Sequence, residues 1–341
     1  MTDPIIIAID AMGGDDSPKK VIEGISLHSK LSKNIRYKIF GDKELINPLI
    51  HQYKISDELF TLFHTNKYIK GEDTALTAAK RGKETSLWLA VESLKNDKAH
   101  AIVSAGNTGA LFLISKLNLK MIENIDKPAL SALWPSRKSM NVVLDLGANI
   151  ECDDQNLVDF AELGSALFKS LFSNEKAKVS LLNIGSEEIK GTETLKLASK
   201  RLKELSSDDN FIYKGYIEGN EIMSGDSNVI VTDGFTGNIA LKTAEGTAKF
   251  IVKNLKKSLT ENLITKLSLI FSYFSLKKFK DKLDPRKYNG AIFLGLNGPV
   301  VKSHGGTDSI GFYYSIDLCY KIVKGDLMYQ IRKNLIHSKS I

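Results

Sequence analysis

Val229-Ile-Val-Thr-Asp-Gly-Phe-Thr-Gly-Asn238 is a short apolar run followed at once by a polar, glycine-rich turn. The chain repeats this pattern four more times, with turns at Asp10-Ala-Met-Gly-Gly-Asp15, Ser104-Ala-Gly-Asn-Thr-Gly109, Asp145-Leu-Gly-Ala-Asn149 and Asn183-Ile-Gly-Ser-Glu187. Apolar runs that alternate with helical patterns are typical of a parallel sheet covered by helices on both faces. Ligands bind beyond the carboxyl ends of such strands, so the five turns predict one shared anion site.

The same alternation along the chain predicts nine strands and seven helices. We expect strands near residues 5–9, 37–40, 59–63, 101–103, 142–144, 179–182, 229–231, 292–294 and 300–302. We expect helices near 18–28, 86–95, 108–117, 157–172, 192–204, 237–259 and 309–334. No internal repeat or low-complexity linker interrupts them. One catalytic domain over residues 1–341 is therefore expected, with an amphipathic helical excursion at about 258–287.

Composition favours a globular protein of the cytoplasm. Of 341 residues, 43% are hydrophobic and 26% are charged, which is ordinary for a globular chain. The start Met1-Thr-Asp-Pro shows no cationic region or cleavage site, so no export signal is expected. Cys152 and Cys319 lie far apart without CxxC spacing, which favours two buried small side chains over a disulfide or metal site. A reducing compartment is therefore expected.

The net charge of +7 is concentrated in one segment. Between Lys249 and Lys287 there are 11 Lys or Arg and 3 Asp or Glu, whereas the rest of the chain has 36 basic and 37 acidic residues. A nucleic-acid-binding protein would spread its basic residues over a face with stacking aromatic side chains. We therefore expect no nucleic-acid partner and look for a local cause of the basic charge.

The segment Leu263–Phe279 lies inside this basic region and has the pattern of an amphipathic helix. At helical spacing one side gathers Leu263, Leu267, Ile270, Phe271 and Phe274, and the other gathers Thr265, Ser268, Ser272 and Ser275. The uncharged stretch between Lys266 and Lys277 is too short to span a bilayer. The pattern favours a helix that lies in the membrane interface. The alternative is a helical arm that packs on a second subunit, and the two can coexist.

The familiar motifs of nucleophilic, metal and nucleotide chemistry are missing from the sequence. There is no Gly-x-Ser-x-Gly elbow, no GxxxxGK[ST] loop and no strict GxGxxG fingerprint. The six histidines show no metal-ligating spacing. A serine triad, a P-loop NTPase and a metal hydrolase are therefore not expected, and no metal or cofactor is predicted.

What remains is a set of polar groups suited to holding an anion. A turn before a predicted helix contains Asp10, Gly13 and Gly14. Its amides either approach an anion, or the turn simply connects a strand to a helix. The group Asn107, Thr108 and Gly109 resembles an anion seat at a helix N-terminus. Two asparagines, Asn149 and Asn238, follow other strands and can donate amide hydrogens without carrying charge.

Two further side chains are candidates for substrate contact. Lys190 precedes a predicted helix, where the helix dipole disfavours a cation, so gripping a phosphate is one explanation and a solvated lysine is the other. His304 follows Lys302 in another strand-to-helix turn. It is a candidate donor to an oxyanion or a carbonyl, or else a structural histidine.

Six segments, in this order, resemble the PlsX family of acyl-acyl-carrier-protein:phosphate acyltransferases. They are AIDAMGGDDSP (8–18), AIVSAGNTGALF (101–112), VVLDLGANIECD (142–153), LLNIGSEEIKGTE (181–193), VIVTDGFTGNIALKTAEG (229–246) and GAIFLGLNGPVVKSHGGTD (290–308). The resemblance covers about residues 5–335. Lys127 stands where the family often has Arg, and the excursion matches only in character.

The resemblance implies a three-layer α/β/α sandwich, Rossmann-like and related to phosphotransacetylases and isopropylmalate dehydrogenases. It also implies the transfer of a long fatty acyl group from acyl-acyl carrier protein to inorganic phosphate. The acyl phosphate would feed a glycerol-3-phosphate acyltransferase of phospholipid synthesis. A homodimer is implied, in the cytoplasm and peripherally associated with the inner face of the plasma membrane.

The site residues follow as a hypothesis. Lys190 and the amides of Asn107, Thr108 and Gly109 would hold phosphate, because phosphate is itself the nucleophile. Asn238, with the backbone N–H groups of residues 234–237, would contact the thioester carbonyl or phosphate. Asp145 and Asp233 would fix loop geometry, and His304 would be a further donor. The substrate-binding set therefore includes Asp10, Gly13, Gly14, Asn107, Thr108, Gly109, Asn149, Asp233, Gly234 and Gly237.

Three rival functions are weighed against this one. A phosphotransacetylase acting on acyl-CoA has neighbouring fold and chemistry, but a short acyl group has no use for the apolar, basic excursion. A nicotinamide dehydrogenase is disfavoured because the chain lacks the dinucleotide-binding fingerprint. A non-catalytic membrane or nucleic-acid scaffold has no use for five polar loops.

Overall fold

The computed structural model describes residues 3–32, 34–207, 210–261, 263–282 and 284–338. The strands are β1 (Ile5–Asp10), β2 (Ile35–Gly41), β3 (Phe60–His64), β4 (Ala101–Ser104), β5 (Ala129–Pro135), β6 (Met140–Leu144), β7 (Lys178–Leu182), β8 (Ile212–Ile217), β9 (Val229–Val231), β10 (Ala291–Leu294) and β11 (Val300–Lys302). The helices are α1 (Lys19–Ser29), α2 (Lys43–Tyr53), α3 (Ala75–Arg81), α4 (Ser86–Lys95), α5 (Thr108–Leu119), α6 (Asp154–Leu171), α7 (Glu193–Leu205), α8 (Gly234–Leu259), α9 (Leu263–Lys282), α10 (Ser309–Lys324) and α11 (Leu327–Ser338).

The strands form one sheet in the order β3-β2-β1-β4-β11-β10-β5-β6-β9-β7-β8. The pairs within β3-β2-β1-β4-β11 and within β6-β9-β7-β8 are parallel. Between these blocks, β10 is antiparallel to β11 and to β5, and β5 is antiparallel to β6. Three reversals leave the two parallel blocks pointing in opposite directions. The expectation of a parallel sheet is therefore wrong as a whole and correct within each block.

Helices cover both faces of this sheet, because successive strand residues point to opposite sides. Ile7 and Ile9 of β1 join the core beneath α1, α2, α6, α7, α10 and α11, whereas Ala8 joins the core beneath α3, α4 and α5. In β6, Val143 faces a third apolar cluster that includes residues of α8. The predicted three-layer α/β/α sandwich is confirmed.

All nine predicted strands are present, but β5 and β8 were missed. β5 is rich in alanine and only partly buried, and β8 is interrupted by Gly215 at φ +86°, so neither has a clean apolar run. The helices α2 and α3 were also missed. The predicted helix 309–334 is two helices that break at Gly325, where a side chain would overlap the carbonyl oxygen of Ser170.

The excursion is a pair of helices that expose apolar side chains. In α8 only Gly234 and Gly237 are buried. The side chains of Phe250, Ile251 and Val252 are 69%, 54% and 57% exposed. In α9, which packs against α8, two of the predicted apolar side chains are also exposed, Phe271 and Phe274.

The side chains of residues 263–270, on which the rest of the predicted amphipathic pattern depends, lie outside the described set. None of the helices in the described ranges has the length and apolar character that crossing a membrane requires.

Acid is expected to destabilise the fold through His28. This side chain is fully buried, its Nδ1 lies 2.8 Å from the Tyr37 hydroxyl, and burial lowers its pKa from 6.5 to about 4. A pKa that is lower in the folded than in the unfolded chain gives stability that is present above pH 6.5 and is lost as pH falls toward 4. Wild type should lose about 2 kcal/mol of unfolding free energy through this group between pH 7 and pH 5.

Urea unfolding of wild type and His28→Gln at both pH values measures this effect. The stability difference between the two proteins should shrink by that amount on acidification. His51→Gln, at an exposed histidine, is the control and should track wild type. A stability difference that does not change with pH would show that His28 is not buried in its neutral form.

Candidate active site

The strand directions divide the predicted site loops into two groups at opposite edges of the sheet. We call the residues beyond the carboxyl ends of β1, β4 and β11 the first-edge cluster; they include Asp10, Gly13, Gly14, Asn107, Thr108, Gly109, Lys302 and His304. We call those beyond β6, β7 and β9 the second-edge cluster; they include Asp145, Asn149, Lys190, Asp233, Gly234, Gly237 and Asn238. The prediction that all five loops share one edge is wrong, because β10 and β5 reverse the chain direction between the blocks.

In the first-edge cluster, Asp10 organises the loops. Its carboxylate is buried and accepts hydrogen bonds from Ser86 Oγ at 2.6 Å and Ser104 Oγ at 2.7 Å, and from the Met12 N–H at 3.3 Å. Burial raises the pKa of Asp10 against the opposing effect of these bonds. The carboxylate is saturated by protein donors, so it positions the turn and does not contact an anion.

The glycines of this turn are needed because two loops touch. A Cβ atom on Gly13 would lie 2.7 Å from the Cα of Gly106 and 2.7 Å from Asp10 Oδ2. Gly14 has φ +87°, a left-handed conformation that L side chains rarely adopt. The close approach of the β1 and β4 loops therefore explains Gly13 and Gly14 without a ligand.

The side chain of Asn107 is used in hydrogen bonds within the protein, whereas the backbone N–H groups of the next two residues are not. Its Oδ1 accepts the Ala110 N–H at 2.9 Å as the N-cap of α5, and its Nδ2 donates to the carbonyls of Gly71 and Asp73, both at 3.0 Å. The N–H groups of Thr108 and Gly109 donate to no residue within the described ranges. The helix N-terminus can therefore receive an anion through its backbone alone.

His304 is an available donor at the same edge. Its Nδ1 accepts the Gly306 N–H at 3.1 Å, which places the proton of the neutral ring on Nε2. Partial burial, and then the charge of Lys302, lower the pKa of His304, so the ring is neutral near pH 7. The exposed Nε2–H can therefore donate to a substrate oxygen.

Two buried lysines complete the first-edge cluster. Lys302, at the end of β11, and Lys20, in the first turn of α1, are 9% and 2% exposed. We did not assign either to the site from sequence, because lysines in such positions usually point into solvent. The feature that could have indicated Lys302 is its place directly after the apolar residues of β11, two residues before His304.

In the second-edge cluster, Asp145 organises the β6 loop. Its carboxylate accepts the N–H groups of Leu130 at 2.9 Å, Ala148 at 3.0 Å and Asn149 at 2.8 Å. Asn149 Nδ2 also donates to Asp145 at 2.8 Å and to the Pro128 carbonyl at 2.6 Å. These contacts agree with the loop-fixing role predicted for Asp145. Asn149 is structural, which corrects its assignment as an available donor.

Most backbone N–H groups in the first turn of α8 donate to acceptors within the protein. Asp233 is its N-cap and accepts the N–H of Thr236 at 2.8 Å. The Gly234 N–H donates to Asn149 O at 2.8 Å, and the Gly237 N–H donates to Asp233 O at 2.9 Å. Three of the four backbone donors predicted to face substrate are therefore occupied. Asp233 fixes the helix start, as expected.

Asn238 remains free to bind a substrate. Its side chain is exposed and lies over Gly147, where an added Cβ would be 3.5 Å from Asn238 Cγ. No hydrogen bond joins its amide to a residue that the structure describes. It is therefore available as a side-chain donor at this edge, and its role in the site stays a prediction.

Lys190 is paired with an acidic neighbour. Its Nζ lies 2.9 Å from Glu187 Oε1, and this hydrogen bond raises the pKa of Lys190 and lowers that of Glu187. The pair is exposed, so it is weak and can exchange partners. The positive charge of Lys190 is therefore balanced by Glu187 in this conformation.

The thiols of Cys152, which is half-buried, and Cys319, which is buried, are unsuited to covalent catalysis. Burial raises the pKa of Cys152 to about 11 and raises that of Cys319 further. A thiol, unlike a thiolate, is a poor nucleophile. Across the described ranges, His, Cys, Asp and Glu side chains form no group of three or more suited to a metal ion.

Helix α8 connects the two clusters. It begins at Gly234 in the second-edge cluster, and the charges of Glu245 and Lys242 act on His304 in the first. At 1.5 Å per residue, Gly234 and Glu245 are about 16 Å apart along the axis. Between them, Leu241 and Ala244 pack on an apolar cluster that also includes β5 residues. Helix α8 therefore spans the distance between the two clusters, with its middle packed on the sheet.

This architecture is similar to that of known phosphotransacetylases. The fold is similar to a phosphotransacetylase from Streptococcus pyogenes (TM-score 0.62, 17% identity, 96% of this chain and 94% of that chain). It is also similar to the EutD phosphotransacetylase from Staphylococcus aureus (TM-score 0.61, 16% identity, 94% of each chain). A 4-hydroxythreonine-4-phosphate dehydrogenase from Klebsiella pneumoniae matches with TM-score 0.56, 11% identity and coverage of 94% and 99%. These similarities show the fold alone.

The chain belongs to the FA_synthesis family of fatty acid synthesis proteins, whose model matches residues 5–329. It is 60% identical over 335 residues to a protein of Pelagibacter ubique named phosphate acyltransferase, covering 98% of this chain and 100% of that protein. A phosphate acyltransferase of Parvibaculum lavamentivorans is 44% identical, with coverage of 98% and 92%. The predicted membership of the PlsX family is confirmed.

Proposed function

We propose that this protein is a phosphate acyltransferase that moves a long-chain fatty acyl group from acyl-acyl carrier protein to inorganic phosphate. The acyl phosphate would serve phosphatidic acid synthesis. One observation carries the proposal: both clusters contain groups available to donate hydrogen bonds, Asn238 and His304, in a chain 60% identical to a protein named phosphate acyltransferase. Phosphate supplies its own nucleophilic oxygen, so the protein needs only to bind, orient and stabilise charge.

The chemistry needs few protein groups. A phosphate oxygen attacks the thioester carbonyl carbon, the new C–O bond forms, and the C–S bond then breaks. Sulfur leaves as a thiolate, which takes a proton from water. The tetrahedral intermediate carries a negative oxygen, which neutral donors such as His304 Nε2–H can stabilise. A thiolate is a good leaving group, so no strong general acid is required.

The separation of the two clusters suits a donor with a long pantetheine arm. Asn238 and Lys190, in the second-edge cluster, are proposed to bind the amides and the anionic end of the carrier's pantetheine arm. Lys190 lies in the second-edge cluster, whereas the Thr108 and Gly109 amides lie in the first. The prediction that they hold one phosphate together is therefore wrong.

The projecting α8 and α9 support a peripheral membrane location. Exposed apolar side chains such as Phe271 and Phe274 lie in a segment with a net excess of lysine. Such a surface favours an anionic bilayer, here the inner face of the plasma membrane, from the cytoplasm. The same surface suits the packing of a homodimer. A membrane glycerol-3-phosphate acyltransferase is the proposed recipient of the product.

Asn238→Ala is expected to lower kcat/KM for palmitoyl-acyl-carrier protein by about 100-fold, the usual effect of losing one aligned donor. The measurement is phosphate-dependent release of free carrier thiol. Asn254→Ala, at an exposed asparagine of the same helix, is the matched control and should keep wild-type turnover. Equal rates for Asn238→Ala and Asn254→Ala would remove Asn238 from the site.

The second candidate is a phosphotransacetylase that uses acyl-CoA, which the fold favours. Palmitoyl-CoA and acetyl-CoA are therefore tested as alternative donors in the same assay. Release from CoA donors alone would assign this second function. Release from neither donor class by folded protein would contradict both.

A further inference from the structure

The first-edge cluster holds two buried ammonium groups that the proposed reaction has not yet used. Lys302 Nζ contacts the Ala105 carbonyl at 3.5 Å and donates to the Ser303 carbonyl. Lys20 Nζ donates to the Gly305 carbonyl. Within the described ranges no carboxylate lies within 4.0 Å of either ammonium. Both cations are therefore held by neutral carbonyls alone.

Burying two like charges together is unfavourable unless an anion joins them. Burial and then the charge of Lys20 lower the pKa of Lys302 to about 8, and burial also lowers the pKa of Lys20. Asp10 acts on Lys302, and Asp15 and Asp16 act on Lys20, as opposite charges beyond contact distance. Among the described residues none of the three forms a direct ion pair with either lysine, so both ammonium groups can still contact an anion.

The backbone packs closely around these ammonium groups. A Cβ on Gly14 would lie 3.0 Å from Lys20 Nζ and 2.7 Å from the Ala105 carbonyl, so glycine is needed for the β1 loop to approach them. Ala105 also contacts Lys302 and is followed by the start of α5. The N–H groups of Thr108 and Gly109 there have no acceptor among the described residues.

We propose that Lys20 and Lys302 form the seat of the phosphate nucleophile, with the backbone donors at the start of α5. This inference rests on the proposed function, because that function supplies inorganic phosphate as substrate. The lysines bind two phosphate oxygens and stay protonated, while a third oxygen forms the C–O bond to the acyl carbon as the C–S bond breaks. His304, two residues after Lys302, lies where it can donate to the resulting oxyanion.

The test measures phosphate binding without turnover. The full chain, free of acyl donor, is titrated with radiolabelled inorganic phosphate in equilibrium dialysis. Lys302→Met and Lys20→Met should each weaken phosphate binding at least tenfold, and Lys302→Arg should retain part of it. Lys38→Met, at a partly buried lysine of β2, is the matched control and should bind as wild type.

A second measurement guards against misfolded variants. Phosphate should raise the melting temperature of wild type more than sulfate does at equal ionic strength, because a ligand that binds the folded state stabilises it. Lys302→Arg should show a smaller rise. No phosphate-specific rise in wild type would overturn the proposal.

The outcomes separate this seat from its alternatives. If Lys302→Met binds phosphate normally but loses affinity for the acyl carrier, the lysines hold the phosphodiester of the pantetheine arm, and the proposal fails. If Lys190→Ala abolishes phosphate binding and Lys302→Met does not, the seat lies at the second edge. Wild type that binds phosphate at these lysines but releases no thiol would contradict the proposed function and leave the seat standing.

Discussion

Alanine at Gly237 is expected to destabilise the protein by about 3 kcal/mol or more and to abolish turnover. A Cβ at this position would overlap the carbonyl oxygen of Asp145 and lie 2.9 Å from Thr232 Cγ2. Both neighbours belong to strand ends that cannot move without disturbing the sheet. The start of α8 would therefore separate from the β6 loop, and Asn238 would be displaced with it. Urea unfolding and thiol release measure the two effects.

The same helix offers a matched control for this substitution. Nothing lies within 4 Å of a Cβ built on Gly246, which is also in α8. Gly246→Ala should therefore stabilise the protein by about 0.5–1 kcal/mol, the usual gain in an exposed helix. Similar stabilities for the two alanine variants would show that α8 does not pack on the β6 loop as described.

Asp145→Ala is expected to lower the free energy of unfolding by about 4 kcal/mol and turnover at least 100-fold. Its buried carboxylate accepts the N–H groups of Leu130, Ala148 and Asn149. Alanine offers these three donors no acceptor. Asn149 in turn accepts the Gly234 N–H, so the loss extends to the start of α8.

Asp226→Ala provides the comparison for Asp145→Ala. Asp226 is exposed and pairs with Lys138 on the surface at 2.5 Å, so its loss should change stability little. Unfolding curves and thiol release of both variants are compared with wild type. Wild-type stability in Asp145→Ala would contradict its role as the anchor of the second-edge cluster.

Local patterns were enough to predict much of the fold. Apolar runs such as Ile5–Asp10 alternate their side chains between two buried faces, which gives a strong strand signal. The helix starts near residues 108 and 309 were placed correctly, and the structure shows Asn107 and Asp308 as their N-caps. Strands without a clean apolar run, β5 and β8, were missed for the same reason.

The candidate site was predicted only in part. The glycine turns and Asn238 could be proposed from sequence because their residue types and positions are local signals. Which asparagines are free was not predictable, because Asn107 and Asn149 are occupied by carbonyls distant in sequence, those of Gly71 and Pro128. The buried Lys20 acquires its role through contacts 285 residues away along the chain.

The sequence by itself determined the family, the alternation of strands and helices, and the absence of a nucleophile motif, because each depends on residues close together in the chain. The tertiary structure alone decided that β10 and β5 reverse the sheet, that the polar loops form two clusters, and that α8 joins them. It also decided which lysines form a direct ion pair, as Lys190 does with Glu187, and which are buried and donate to backbone carbonyls, as Lys302 does. Strand direction and burial depend on long-range packing, which local residue preferences do not encode.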